Sequence, residues 1–227
     1  PTESQQAFDQ VTMSPKTVGA YTDISRKLLL QSSIDVESFV RDDLATVLGL
    51  EIDRAAINGS GSSNQPTGIL QTSGIGSVAG GTNGAAPSYA NIIDLESQVA
   101  IANADVGSLS YLTNPKVRGK LKSTFTNTTY GEIPIYGADN SLNGYSVAVT
   151  NQVPSNLTKG SASGVCSAII FGNFADLMIG MWGSISLMVD PYTASTSGTV
   201  RVVALQDIDI AVRNAVSFAA MKDALTA

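Results

Sequence analysis

Histidine is absent from the 227 residues, which removes Ser-His-Asp and Cys-His catalysis, imidazole metal ligation and histidine-based pH switching together. Cysteine occurs once, as Cys166, so no disulfide can form within the chain. Its neighbours Val165, Ala168, Ile169 and Ile170 predict a buried strand instead of an activated thiolate. Charged residues are 14% and aromatics 6%, against roughly 25% charged in an average soluble domain. The surface must therefore be finished with Ser, Thr, Asn, Gln and Gly, groups that hydrogen-bond without carrying charge. No run reaches about 18 consecutive apolar residues, and the opening PTESQQAFDQ lacks the basic-then-apolar order of a secretory signal. The sequence thus indicates neither a membrane partner nor secretion. With a net charge of −6 and no basic patch, it also argues against gripping a phosphate backbone, which rests on clustered Lys and Arg.

What is present is enough to build a core. Apolar residues are 43%, and the length predicts one large domain or two modest ones. Residues 1 to 24 are polar and then alternate (Val11, Met13, Val18, Ala20), the pattern of an extended strand. From Asp35 to Asn58, Val36, Phe39, Val40, Leu44, Val47, Leu48, Ile52 and Ala55 recur at three and four, predicting a long amphipathic helix with Phe39 and Leu44 on the buried stripe. Ser33 or Asp35 would cap it, and Gly59 with Gly61 would end it. Glycine-rich loops follow at 59–70 and 74–87. A second helix is predicted from Ser88 or Tyr89 to Asn103. Ser110 to Leu112 predicts a strand, and Thr113-Asn114-Pro115 starts a basic helix carrying Lys116, Arg118, Lys120 and Lys122. Strands are predicted at 133–136, 145–150, 168–171, 185–189, 199–205 and 208–212, making the fold class α+β.

Each chemical constellation competes with a plainer reading. GSGSSNQPTG resembles a phosphate loop, but it follows a helix and lacks the Gly-Lys-Ser/Thr ending. Asp139, Ser141, Asn143 and Gly144 copy the opening of a calcium loop, yet Thr150 stands where the bidentate acid belongs, and Asn143-Gly144 reads as a hairpin turn. Asp207 and Asp209 would share one face of a strand and could divide acid and base roles. With no visible partner, a solvated or subunit-facing surface is preferred. The sequons at Asn58, Asn127 and Asn156 are expected by chance in so Ser/Thr/Asn-rich a chain. Trp182, inside FADLMIGMWGSISLMV, belongs in a core or at a subunit contact.

The order of segments carries more than any single motif. The stretch TMSPKTVGAYTDISRKLLLQSSIDVESFVRDDLATVLGLEIDRAAINGSGSSNQPTGIL, then YLTNPKVRGKLK, then IIFGNFADLMIGMWGSISLMVDPYT closely resembles the major capsid proteins of tailed bacteriophages, the Hong Kong 97 fold family. The likeness runs through Ser14-Pro15-Lys16, Ile24-Ser25-Arg26 and Leu28-Leu29 into a spine helix ending at Ile52-Asp53 and a Gln-Pro-x-Gly-Ile turn. It implies a Hong Kong 97-type capsid fold with a long spine helix. Residues 1–24 would be the return strand of a partial extended loop, 25–86 and 193–214 a peripheral domain, and 87–192 with 215–227 an inserted axial domain.

The resemblance further implies a structural, non-enzymatic subunit of a phage or prophage capsid, without cofactor or metal. Its partners would be copies of itself in pentameric and hexameric capsomers, scaffold, portal or decoration proteins, and packaged double-stranded DNA held without sequence-specific contact. It would act in the virion capsid, assembled in the host bacterial cytoplasm. Lys16, Arg26, Arg41, Asp42, Asp43 and Trp182 are the candidate subunit-interface residues. Some family members join a loop Lys covalently to a neighbour's Asn beside a catalytic Glu. Here Lys16 has a loop position, but no Glu follows Glu132, so a cross-link is not expected. The family's N-terminal arm and outgoing loop strand have no counterpart in these residues, so the expectation is a fragment with an unpaired edge and mobile residues up to about 20, folding as a monomer or single capsomer. The alternatives are a non-viral nanocompartment shell of the same fold and a carbohydrate-binding or adhesin module, which would need an aromatic platform. A hydrolase using Asp207 and Asp209 is the third.

Overall fold

A computed structural model describes residues 10–31, 36–126 and 133–226; the predicted caps Ser33 and Asp35 and the sequon at Asn127 lie outside them. The chain opens with β1 (Lys16–Ser25), α1 (Arg26–Gln31) and the long helix α2 (Val36–Asn58). After the glycine-rich loops come β2 (Gly76–Val78), α3 (Tyr89–Ile101), β3 (Leu109–Thr113) and α4 (Pro115–Ser123). The rest is mostly strand: β4 (Ser141–Leu142), β5 (Tyr145–Val149), β6 (Leu157–Lys159), β7 (Ala162–Asn173), β8 (Leu177–Asp190), β9 (Thr199–Val212) and β10 (Phe218–Leu225).

Two sheets organise these elements. Three strands in the order β1-β9-β8 form one; seven form the other, in the order β2-β10-β7-β3-β5-β4 with β6 beside β7. After α1 and α2 have carried the chain from β1 in the small sheet to β2 in the large one, it passes between the sheets twice more, from β7 to β8 and from β9 to β10. The backbone N–H of Arg213 donates to the carbonyl of Asp176 at 2.8 Å, and the Arg213 guanidinium lies 2.7 Å from the buried Asp176 carboxylate, off the line of a hydrogen bond. The two crossovers are thereby fastened side by side. Sheet membership cuts across the expected domain limits: β2, within 25–86, pairs with β10, whereas β8, within 87–192, pairs with β9.

Local chemistry explains most elements. Ser88 caps α3 in a reciprocal arrangement with Asn91, and Asn114 caps α4, with Pro115 at its first position. Asn143 and Gly144 take φ of 48° and 88° between β4 and β5, the left-handed pair of a tight hairpin. Cys166 is buried in β7, as expected. Ile92, Leu95 and Val99 of α3 and Val117 and Leu121 of α4 pack on Tyr111, Ile169, Phe171 and Met221 of the large sheet. Leu44 and Leu48 of α2 pack on Val202 and Ala204 of the small one.

Four expectations need correction. Phe39 is 68% exposed; at 3.6 residues per turn it lies about 140° around α2 from Leu44. The helix is apolar on two sides, and only the Leu44–Leu48–Ala55 side faces the sheet. Residues 133–136 form no strand, only bridges from Pro134 to Phe125 and from Tyr136 to Leu142, since Pro134 lacks a ladder donor. The strands expected at 199–205 and 208–212 are one. Polar Gln206, between the two expected segments, is buried, and its side-chain amide donates to the carbonyls of Trp182 (3.2 Å) and Gly183 (3.4 Å). A bulge in β8 frees those groups by setting three residues, Gly183 to Ile185, against Gln206. Finally, β1 is not a free ribbon up to residue 20, because it pairs with β9 from Lys16↔Ile208 to Ser25↔Thr199.

Candidate subunit-contact surfaces

The small sheet turns one face to α2, and Asp23, Arg201, Asp207 and Asp209 lie on the other. Lys16 Nζ donates to Asp209 Oδ1 at 2.8 Å, the Ser14 N–H to Oδ2 at 2.8 Å and the Ile210 N–H to Oδ1 at 2.9 Å. Burial alone would raise the Asp209 pKa, but these donors outweigh it and hold the carboxyl below its usual range. Asp207 shares the face, as its spacing predicts, and accepts from Thr17 Oγ1 at 2.6 Å. A carboxylate held ionised beside a lysine is poorly placed to act as a general acid.

Farther along the same face, Arg201 grips Asp23 with two hydrogen bonds of 2.7 and 2.8 Å and stacks 4.5 Å from the centre of the Tyr21 ring. The Arg201 hydrogen bond lowers the Asp23 pKa. Sequence reasoning missed this trio because Asp23 and Arg201 stand 178 residues apart. Only strand register places them opposite one another.

The other predicted residues lie on α1, α2 and β8 and are not gathered into a site. Arg26 begins α1, exposed, with its backbone N–H on the Gly198 carbonyl at 3.1 Å. Arg41, Asp42 and Asp43 are exposed near the start of α2. Trp182 is 39% exposed on β8 in register with Asp207, so it lies at the surface and not in the core. On α4, Lys122 sits 5.3 Å from the centre of the Tyr136 ring, while Lys116 and Arg118 are exposed.

Two hollows flank α2. One, about 600 Å³, lies between β1 and α2 and is lined by Lys16, Val18, Val47, Leu50 and Arg54, with residues 63–66 among its walls. The other, about 240 Å³, lies between α2 and the β8 bulge. The turn beside the first is closely built: Ser63 and Asn64 have φ of 52° and 62°, and a Cβ on Gly59 would stand 2.3 Å from the Pro66 carbonyl oxygen. Among the described residues no group of three or more Cys, Asp or Glu is arranged to hold a metal ion.

Known proteins share both the sequence and the fold. A major capsid protein of Halomonas phage phiHAP-1 is 30% identical over 216 residues, covering 95% of this chain and 33% of the relative. A major capsid protein of Klebsiella oxytoca phage phiKO2 is 26% identical over 193 residues, covering 81% of this chain and 43% of that protein. The chain therefore spans well under half the length of these curated relatives. Among solved structures, the capsid of a native GTA particle superposes with a TM-score of 0.73 at 20% identity, over 95% of this chain and 75% of that one. The model of the phage capsid family matches residues 1–223. The chain accordingly belongs to the phage capsid family, one of structural proteins.

Proposed function

We propose that this chain is the shell-building part of a tailed-phage or prophage major capsid protein. Copies would assemble through five-fold and six-fold capsomers into a closed shell around double-stranded DNA in the host cytoplasm. The observation that carries this reading is the family match across residues 1–223. The surface supports it: the net charge of −6 suits a container whose DNA must not stick to its wall, and the weakly charged faces lose little on being buried against copies. Scaffold, portal and decoration proteins would meet the assembled shell.

In this reading α1, α2 and the sheet β1-β9-β8 form the peripheral unit, and the seven-stranded sheet with α3 and α4 forms the axial one. Lys16, held by Asp209, fastens the base of the extended loop inside its own subunit. Arg26, Arg41, Asp42 and Asp43 provide rim contacts, and Trp182 belongs to an apolar one. Electron microscopy of protein expressed from the complete reading frame tests the proposal. Uniform closed particles are expected; soluble single subunits under all ionic conditions would overturn it.

A further inference from the structure

The most anomalous surface of the molecule is strand β8. It is fourteen residues long, it is the last strand of its sheet, and among the described residues no strand pairs with its outer edge. Edge strands are usually made safe by lysine, proline, inward charge or shortness. The sequence LMIGMWGSISLMVD contains no cation and no proline, and its one acid, Asp190, is the final residue. The side chains are exposed on both faces of the sheet: Met181 and Met188 are 65% and 55% accessible, and Ile185, Leu187 and Val189 are exposed as well. The bulge at Gly183 to Ile185 interrupts the edge at one place only, leaving Ser186 to Asp190 in straight register with β9.

We infer that this edge is a homotypic contact in which Ser186–Asp190 pairs antiparallel with the same segment of a second copy about a two-fold axis at Met188. The inference rests on the shell-subunit reading and specifies one of its contacts. The segment is complementary to itself. With Met188 opposite its counterpart, Leu187 meets Val189 of the second copy and Ser186 meets its Asp190, so apolar faces apolar and a hydroxyl donor faces a carboxylate. Like charges are not opposed, since the two Asp190 side chains fall at opposite ends of the pair. Each is also already oriented by its own turn, accepting from the N–H groups of Tyr192 (2.8 Å) and Thr193 (3.2 Å). Pairing joins two three-stranded sheets into one of six strands. A two-fold contact of this kind uses the same patch on both subunits, as a shell needs where capsomers meet.

Directly opposed residues in antiparallel strands have Cα atoms about 4.5 to 5.5 Å apart, within disulfide reach. In the 227-residue chain, Met188→Cys should therefore give a covalent dimer on mild oxidation. The wild type, whose Cys166 is buried, should not. Sedimentation velocity of the wild type should show a one-to-two mass shift with concentration. Met188→Lys should weaken that dimer at least ten-fold without moving the melting temperature, whereas Ile101→Lys, at an exposed apolar site on α3, should leave it unchanged. A wild type that stays single at every concentration, or a dimer indifferent to Met188→Lys, overturns the inference. Particles from the complete protein that close normally with Met188→Lys also overturn it, while upholding the shell reading. If that protein never forms particles but the Met188→Cys dimer persists, the shell reading falls and the edge contact stands.

Discussion

Lys16 and Asp209 are 193 residues apart in the chain and 2.8 Å apart in the fold. Their ion pair closes the ten-residue ladder between β1 and β9 at the end where the chain enters the sheet. The Asp209 side chain is almost fully covered, and loss of one partner leaves the other charge under-satisfied in a partly dry site.

Acid should weaken this clamp. The folded-state pKa of Asp209 is depressed, so its contribution is fully present above the unfolded value of about 3.9 and is lost as pH falls through the folded value. Asp209→Asn should be less stable than wild type by about 1 to 3 kcal/mol at pH 7, and the gap should close at the acid end. Urea unfolding at several pH values measures it, and a gap that does not vary with pH would refute the assignment.

The two sides of α2 should respond differently to truncation. Leu48→Ala, at a buried position against the small sheet, should cost about 2 to 5 kcal/mol. Phe39→Ala, largely exposed, should change stability by no more than about 0.5 kcal/mol. Comparing the two melting temperatures checks the helix orientation.

Glycines 49 and 59 should move stability in opposite directions. A Cβ on Gly49 meets nothing within 4 Å, so Gly49→Ala should stabilise α2 by about 0.5 to 1 kcal/mol through helix propensity. Gly59→Ala would press on the backbone oxygens of Pro66 and Ala55 and should destabilise the chain. Chemical denaturation of both variants decides the matter.

Tyr111, fully buried, donates its hydroxyl to Glu96 Oε1 at 2.6 Å, and Asn143 Nδ2 donates to the other carboxylate oxygen at 2.8 Å. Burial, reinforced by Glu96, raises the phenol pKa far above its ordinary value and keeps it a neutral donor. Tyr111→Phe should cost about 1.5 to 3 kcal/mol, the range for a hydrogen bond to a charged group. Glu96→Gln in the same background should recover part of the loss, and a double-mutant cycle measures the coupling.

Charge reversal at Arg26 and Arg41 should weaken association of the complete protein, most at low ionic strength, because rim contacts are screened by salt. Light scattering across a salt series tests this. Association indifferent to both reversals would remove these residues from the contact surface.

Much of the molecule was legible from the residues alone. The capped starts of α3 and α4, the Asn143-Gly144 hairpin, the glycine-ended long helix and the buried Cys166 are all local: each follows from side-chain reach, φ preference or a short apolar run. The ordered segments also carried the family. β10 was not legible. FAAMKDAL is rich in helix formers, yet it lies between β2 and β7 with Ala219, Ala220, Met221 and Ala224 fully buried, because small side chains fit where a helix and neighbouring strands press on a central strand. Tertiary packing overrode propensity there. The exposure of Phe39 was equally hidden, since both sides of α2 are apolar and only the sheet beneath selects one. The contact surfaces were least legible. The Asp23–Arg201 and Lys16–Asp209 pairs and the bare edge of β8 arise from strand order and register, which bring together residues nearly two hundred positions apart. Local chemistry determined where this chain bends and coils; only the closing of β1 and β8 around β9 decided which side chains were left facing outward.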